Sequence, residues 1–302
     1  MGWWNTLGQI FKKNKKFPAN ILVTAPHGTA KIPLEVYKHL SPLYKTSPRL
    51  LLNFSDYGTK YLIEKIPDAQ KEVPKYGRLI GDPNRSVNAP DIIRFKDFGG
   101  NNVFSEKFEK RLTDSIFRVF WRNKMLRYSY KPFFKSVFKK LDTVANHTPY
   151  DKPVIHVDVH DTGNRLLGRK VSEDTLRETP VPKIILSNAP TLETGEDIYG
   201  TAPMYFLEAF ADLLAENMSI DRKDIYINHI FQGANMIRTL GNPKDNAKVR
   251  KSLHGRQIFS VQIEFDRGLY LNEKNQLPYV LKLRRIRKGF YETLCALGNF
   301  DF

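Results

Sequence analysis

Residues 154–163 read VIHVDVHDTG. Taken as a strand, the run sends Ile155, Val157 and Val159 to one face and His156, Asp158 and His160 to the other. Polar groups on a buried strand are costly unless they are paired or bind a metal. Further strands read outward from this one: NILVTA (20–25), stopping at Pro26-His27, KIILSN (183–188), DIYINHIF (224–231), and IFSVQIEFDRGLYLNE (258–273), a strand with a following loop. Helical patterns lie between them. They cover Pro33 to about Leu43, SDYGTKYLIEKI (55–66), a long basic and aromatic region over 103–144 that should break near Pro132, PMYFLEAFADLLAEN (203–217) and a closing helix over 278–298. The alternation predicts an α/β fold with a mixed, mostly parallel sheet flanked by helices on both faces, of the phosphorylase/hydrolase-like kind. The expected organisation is an amphipathic basic segment over 1–18 and a single domain over 19–302, with a helical insertion near 100–145.

Composition narrows the class. The chain has 302 residues, 41% of them hydrophobic, enough for a core and too many for disorder. The single cysteine, Cys295, excludes an internal disulfide and a Cys-rich zinc site, which fits a reducing, cytoplasmic setting. No apolar run reaches the roughly 18 residues of a spanning helix. The net charge of +16 is spread over KKNKK, KPFFKSVFKK and KLRRIRKG and suits an anionic partner. Nucleic acid is not favoured, since no recognisable binding motif accompanies the charge. In MGWWNTLGQIFKKNKKFP (1–18), Trp3, Leu7 and Ile10 share a helical stripe and lysines follow. That pattern predicts peripheral contact with an anionic membrane, or a helix docked on its own domain. The basic cluster follows the apolar stretch, the reverse of a secretory signal.

In such folds reactive groups gather at the carboxyl ends of strands. His27 ends the first strand, in VTAPHGTAKIP (23–33), and His160 ends the run VIHVDVHD. In SVQIEFDRG (260–268), Val261, Ile263 and Phe265 face one side while Gln262, Glu264 and Asp266 face the other. Two imidazoles with carboxylates at separate strand ends suggest one divalent metal ion, zinc first, beside a carboxylate that takes a proton from water. The competing reading is a set of hydrogen-bonded histidines with no metal.

Seven segments in order carry a family resemblance: APHGTAKIP (25–33), FSDYGTKYL (54–62), RLIGDPNRS (78–86), YKPFF (130–134), VIHVDVHDTG (154–163), NHIFQGA (228–234) and VQIEFDRGLYLNE (261–273). Together they resemble the N-formylglutamate amidohydrolase family, which is similar in fold and metal chemistry to zinc carboxypeptidases. The resemblance implies a metal-dependent amidohydrolase acting on carbon–nitrogen bonds other than peptide bonds. Its substrate would be an N-acyl amino acid, N-formyl included, or a related small carboxylate-bearing molecule. His27 and His160 would be metal ligands. Carboxypeptidase-like sites place a glutamate three residues after the first histidine, but Ala30 stands there; the resemblance implies Asp56 as the third ligand instead, with Asp158 its competitor. Glu264 would be the general base, unless it is ion-paired with Arg267 or another arginine. Arg85 would clamp the substrate carboxylate, with Asn84 as a further donor and Asp82 holding Arg85. Asp82 and Asp158 would stand behind the ligands, and Gly233 would let the backbone approach the substrate. Family members often carry a histidine where Phe134 stands, and Arg94 or Arg165 could replace its charge. Two other classes fit the same residues: a zinc peptidase or amidase acting on peptides, and a non-enzymatic basic protein associated with membrane or nucleic acid.

Overall fold

The computed structural model describes residues 16–112, 114–165, 176–190 and 200–300. The expected membrane contact of the first 18 residues falls almost wholly outside them. Six strands form one sheet: β1 (Ile21–Thr24), β2 (Lys71–Glu72), β3 (Val154–Thr162), β4 (Ile184–Ser187), β5 (Ile225–Ile227) and β6 (Ile258–Asp266). Their order is β2-β1-β3-β6-β4-β5, and all neighbours are parallel except β4 and β6. This is the mixed, mostly parallel sheet that the strand–helix alternation predicts.

The helices are α1 (Leu34–Tyr37), α2 (Pro42–Thr46), α3 (Pro48–Phe54), α4 (Thr59–Leu62), α5 (Glu106–Arg111), α6 (Ser115–Tyr128), α7 (Tyr130–His147), α8 (Met204–Met218), α9 (Asn235–Gly241), α10 (Ala247–Leu253) and α11 (Val280–Gly298). Several are shorter than the sequence predicts. The helix expected from Pro33 to Leu43 divides because Ser41 is extended and Pro42 begins a new turn. The segment 55–66 is helical only over four residues. The strand expected over 224–231 stops at Ile227, because Asn228 and Ile230 take left-handed φ angles of 53° and 61°. The long helical region breaks at Ser129, and Pro132 sits in the first turn of α7, where a missing N–H costs nothing.

The two faces of the sheet differ. On one, Ile21, Val23, Val157, Val159, Val261 and Ile263 pack against α8 and α11 through Phe206, Phe210, Ile286 and Phe290. Each such side chain contributes about 1.5–3 kcal/mol on burial. The other face changes character along its length. At the start of the strands, Leu22, Val154 and Ile258 meet Val137 and Leu141 of α7, Met236 of α9 and Val249 of α10. Further along come His156 beside Ser260, Asp158 beside Gln262, and His160 beside Glu264. A smaller apolar cluster, built around Tyr44, Phe104, Phe108 and Trp121, ties α2, α5 and α6 together. Among the described residues no helix is long and apolar enough to cross a membrane.

Candidate metal centre

The polar end of this face opens into a cavity of about 390 Å³ whose lining includes His27, Asp56, His160, Glu264, Asn84 and Arg85. His27 arrives on the turn after β1, His160 on β3 and Asp56 on the turn after α3. All three are buried, and one ligand atom from each lies within 4.8 Å of the others. Both Nδ1 atoms point at Asp56 Oδ2, at 3.1 Å from His27 and 2.9 Å from His160. The two rings sit edge to face with centroids 4.7 Å apart.

The far nitrogens are held by other carboxylates. His27 Nε2 lies 2.7 Å from Asp82 Oδ1, and His160 Nε2 lies 2.9 Å from Asp158 Oδ2. With a metal ion bound, each neutral ring would keep its proton on Nε2, donate it to that carboxylate and turn the Nδ1 lone pair toward the shared centre. Asp82 and Asp158 therefore orient the imidazoles, and it is Asp56 that joins them. Asp56 is not a helix cap: its side chain meets the histidines, and only its carbonyl accepts bonds from Thr59. The turn that presents it is tightly packed, since a Cβ on Gly58 would stand 2.6 Å from the Tyr270 ring and 2.9 Å from Leu271.

Asp82 does not hold Arg85, contrary to the reading of the sequence. Its Oδ2 accepts from Arg78, at 3.1 Å from Nε and 2.7 Å from Nη2. The i, i+4 spacing in RLIGD was the signal for this pair. Arg85 instead donates from Nε to Asp91 Oδ2 at 2.9 Å. Its carbonyl accepts from Asn235 Nδ2 at 3.0 Å, which fixes the backbone at the cavity edge. Asn84 accepts from the N–H of Met236 and sets its Nδ2 3.3 Å from His160 Nε2. Glu264 is not paired with Arg267: its Oε1 accepts from Gln262 Nε2 at 2.9 Å. Arg267 donates to Asp161 and, at 3.1 Å, to the carbonyl of Ser55. Tyr270 donates its hydroxyl to the same Asp161. Asp161 interrupts the apolar alternation of Val157 and Val159, which is the trace this buried pair leaves in the sequence.

Other residues stand elsewhere than their sequence roles suggest. Gly233 has φ 98°, and a Cβ there would meet Ile237 at 2.5 Å and the backbone of Ala189 at 2.9 Å. Its neighbours Phe231 and Ala234 line the cavity. Phe134 packs on Tyr130, ring centroids 4.6 Å apart, in the apolar cluster under α7. Arg165 lines the cavity, as do Arg78, Arg177 and Arg267. Arg94 lies over the Phe98 ring, 4.8 Å from its centroid. Arg177 Nε is buried without a hydrogen-bond acceptor among the described residues.

Electrostatics sharpen the centre. Burial by itself raises the Asp56 carboxyl, but His27 and His160 outweigh it and hold the group well below the ordinary range. Burial would lower His160, yet Asp158 and Asp56 hold it well above the ordinary imidazole range. Burial pushes Glu264 up to about 8. His156, deeper on the same face, is lowered by burial to about 4. It bridges Ser260 Oγ at 2.7 Å and Thr24 Oγ1 at 2.9 Å, and Thr24 donates onward to Asp158. A divalent ion suits this donor set. Two imidazole nitrogens and a carboxylate oxygen converge on one point, and each imidazole is held at its far nitrogen by a second carboxylate. Around them Asp56, Asp82, Asp158 and Asp161 are buried together with Arg78 and Arg267.

No family model matches the sequence, and no curated protein matches it. Solved structures do. A gene product of Agrobacterium tumefaciens aligns over 90% of both chains at 17% identity, with a TM-score of 0.45. The N-formylglutamate amidohydrolase from Ralstonia eutropha aligns over 94% of both chains at 16% identity, with a TM-score of 0.62. The chain thus has the fold of a solved N-formylglutamate amidohydrolase along nearly its whole length.

Proposed function

We propose that the protein is a metal-dependent hydrolase that cleaves the amide bond of a small, carboxylate-bearing N-acyl amino acid, N-formyl amino acids included. The observation that carries this reading is the convergence of His27 Nδ1, His160 Nδ1 and Asp56 within 4.8 Å, each buried and each imidazole braced by its own carboxylate. His27, Asp56 and His160 would hold one divalent ion, zinc being the first candidate for this ligand set. When bound, such an ion polarises an acyl carbonyl and acidifies water.

The chain's own groups supply the rest. Glu264 lies beside His160 in the strand register and lines the cavity. It takes a proton from water and returns it to the leaving amine, and burial raises its affinity for protons. Gln262 holds one Glu264 oxygen, which fixes the direction in which the other can act. Arg85 stands at the edge with its Nε on Asp91 and its remaining N–H groups available to a substrate carboxylate. Arg177, whose buried Nε has no acceptor among the described residues, adds a second donor that an anionic substrate would satisfy. A cavity of about 390 Å³ suits a small acyl amino acid better than an extended peptide.

The test is metal analysis of the purified full-length chain, followed by a screen of N-formyl and N-acyl amino acids and short peptides with and without a chelator. One bound divalent ion and chelator-sensitive release of a free amino acid are expected. Glu264→Gln should keep the metal and lose turnover by two to four orders of magnitude, roughly the range for a general base. Full turnover in that variant, or no metal in the wild-type protein, would reject the reading.

A further inference from the structure

The start of helix α11 and the turn before it carry an exposed apolar knuckle that neither the core nor the candidate metal centre uses. Leu277, Val280 and Leu281 are 61%, 65% and 78% exposed. Leu281, Arg284, Arg285 and Lys288 follow the i, i+3, i+4, i+7 spacing of one helical stripe, and all four are exposed. The opposite stripe, with Ile286, Phe290 and Leu294, is buried in the core. Between Glu273 and Glu292 there is no acidic residue, while Lys274, Lys282, Arg284, Arg285, Arg287 and Lys288 are basic. The first turn of α11 contains no acid, although a helix N-terminus favours one. Arg287 is paired with Glu64 and Lys288 lies 3.8 Å from Glu292, so the positive charge beside the protruding aliphatic side chains comes chiefly from Lys282, Arg284 and Arg285.

We propose that this stripe of α11 is a docking surface for an anionic lipid bilayer. Exposed aliphatic groups seek hydrocarbon, and the flanking cations seek lipid phosphate and carboxylate. Aliphatic knuckles are of little use on nucleic acid, where aromatic and polar groups make the contacts to bases. The amino-terminal segment is not the natural occupant of the stripe. It carries the run KKNKK, so the like charges repel. Phe17 packs on Tyr291 of α11 with ring centroids 5.3 Å apart, about 15 Å along the axis from Leu281. The basic, apolar sequence of residues 1–16 and the α11 stripe would both be matched by one anionic surface.

The experiment is co-sedimentation of the full-length protein with phosphatidylcholine vesicles and with mixed phosphatidylcholine/phosphatidylserine vesicles. Binding is expected only to the anionic vesicles. Leu277→Ser/Val280→Ser/Leu281→Ser should weaken it at least tenfold, and Arg284→Glu/Arg285→Glu by more than the roughly fivefold expected for each cation lost. The variant Trp3→Ala/Leu7→Ala/Ile10→Ala should retain the α11-dependent part. Leu277, Val280, Leu281, Arg284 and Arg285 are exposed, and unchanged circular dichroism would verify that the variants fold. The proposal is overturned by equal binding to neutral vesicles, by unchanged binding of both α11 variants, or by complete loss of binding in the amino-terminal variant. It is also overturned if the serine variant converts a wild-type dimer into a monomer, which would assign the face to a second copy.

Discussion

His156 should make the stability of this protein depend on acid in a way that one substitution removes. The ring is fully buried and hydrogen-bonded at both nitrogens. Thr24 donates to Asp158 and so can only accept from His156 Nε2, while the Ser260 hydroxyl, 2.7 Å from Nδ1, can donate to the neutral ring. Burial favours that neutral form. Burial lowers the ring's pKa from 6.5 to about 4. A depressed folded-state value gives stability that is present above the unfolded value near 6.5 and is lost as pH falls from there to about 4. At pH 7 the linked cost is close to zero. At pH 5 the unfolded ring is almost fully charged while the folded ring is not, and the cost is about 2 kcal/mol. The assay is urea unfolding of the wild type and His156→Gln at both pH values. Other groups titrate alike in the two proteins, so the difference between them isolates this ring. The wild type should lose about 2 kcal/mol more than the variant between pH 7 and pH 5. An identical loss in both would refute the argument that the ring is held neutral.

Asp158→Asn keeps the shape behind His160 but removes the charge that polarises its ring, and cation affinity should fall by about 10–100-fold in a chelator competition. Gly58→Ala should push the new methyl against Tyr270 and Leu271, costing about 1–3 kcal/mol in unfolding experiments and weakening cation binding because the same turn carries Asp56. Phe290→Ala, in the core between α11 and the sheet, should cost about 3–5 kcal/mol by the same measurement and leave cation affinity per folded molecule unchanged.

Much of the fold is legible along the chain because its signals are local. Period-two alternation marks β3 and β6, and the position of a residue at the end of a strand follows from the strand itself. His27 and His160 were therefore recognisable as groups that could meet. The same alternation treats His156, Asp158 and His160 alike. Only the sheet separates them, because Thr24 and Ser260 flank His156 while Asp56 reaches His160 from 104 residues away. The partners of the arginines were hidden for the same reason. Arg85 and Arg78 lie within a few residues of Asp82, and one-dimensional distance does not say which of them turns toward it.

The order and type of the larger elements, the one-sided polarity of β3 and β6 and the cationic excess are properties of residue type and spacing, so the sequence by itself determined them. Which nitrogen of each imidazole faces the centre, which carboxylate joins the two rings and which one braces them are decided by tertiary structure. Those assignments depend on side chains brought within about 3 Å by the packing of β1, β3 and the turn after α3, and no local pattern encodes a distance across the fold.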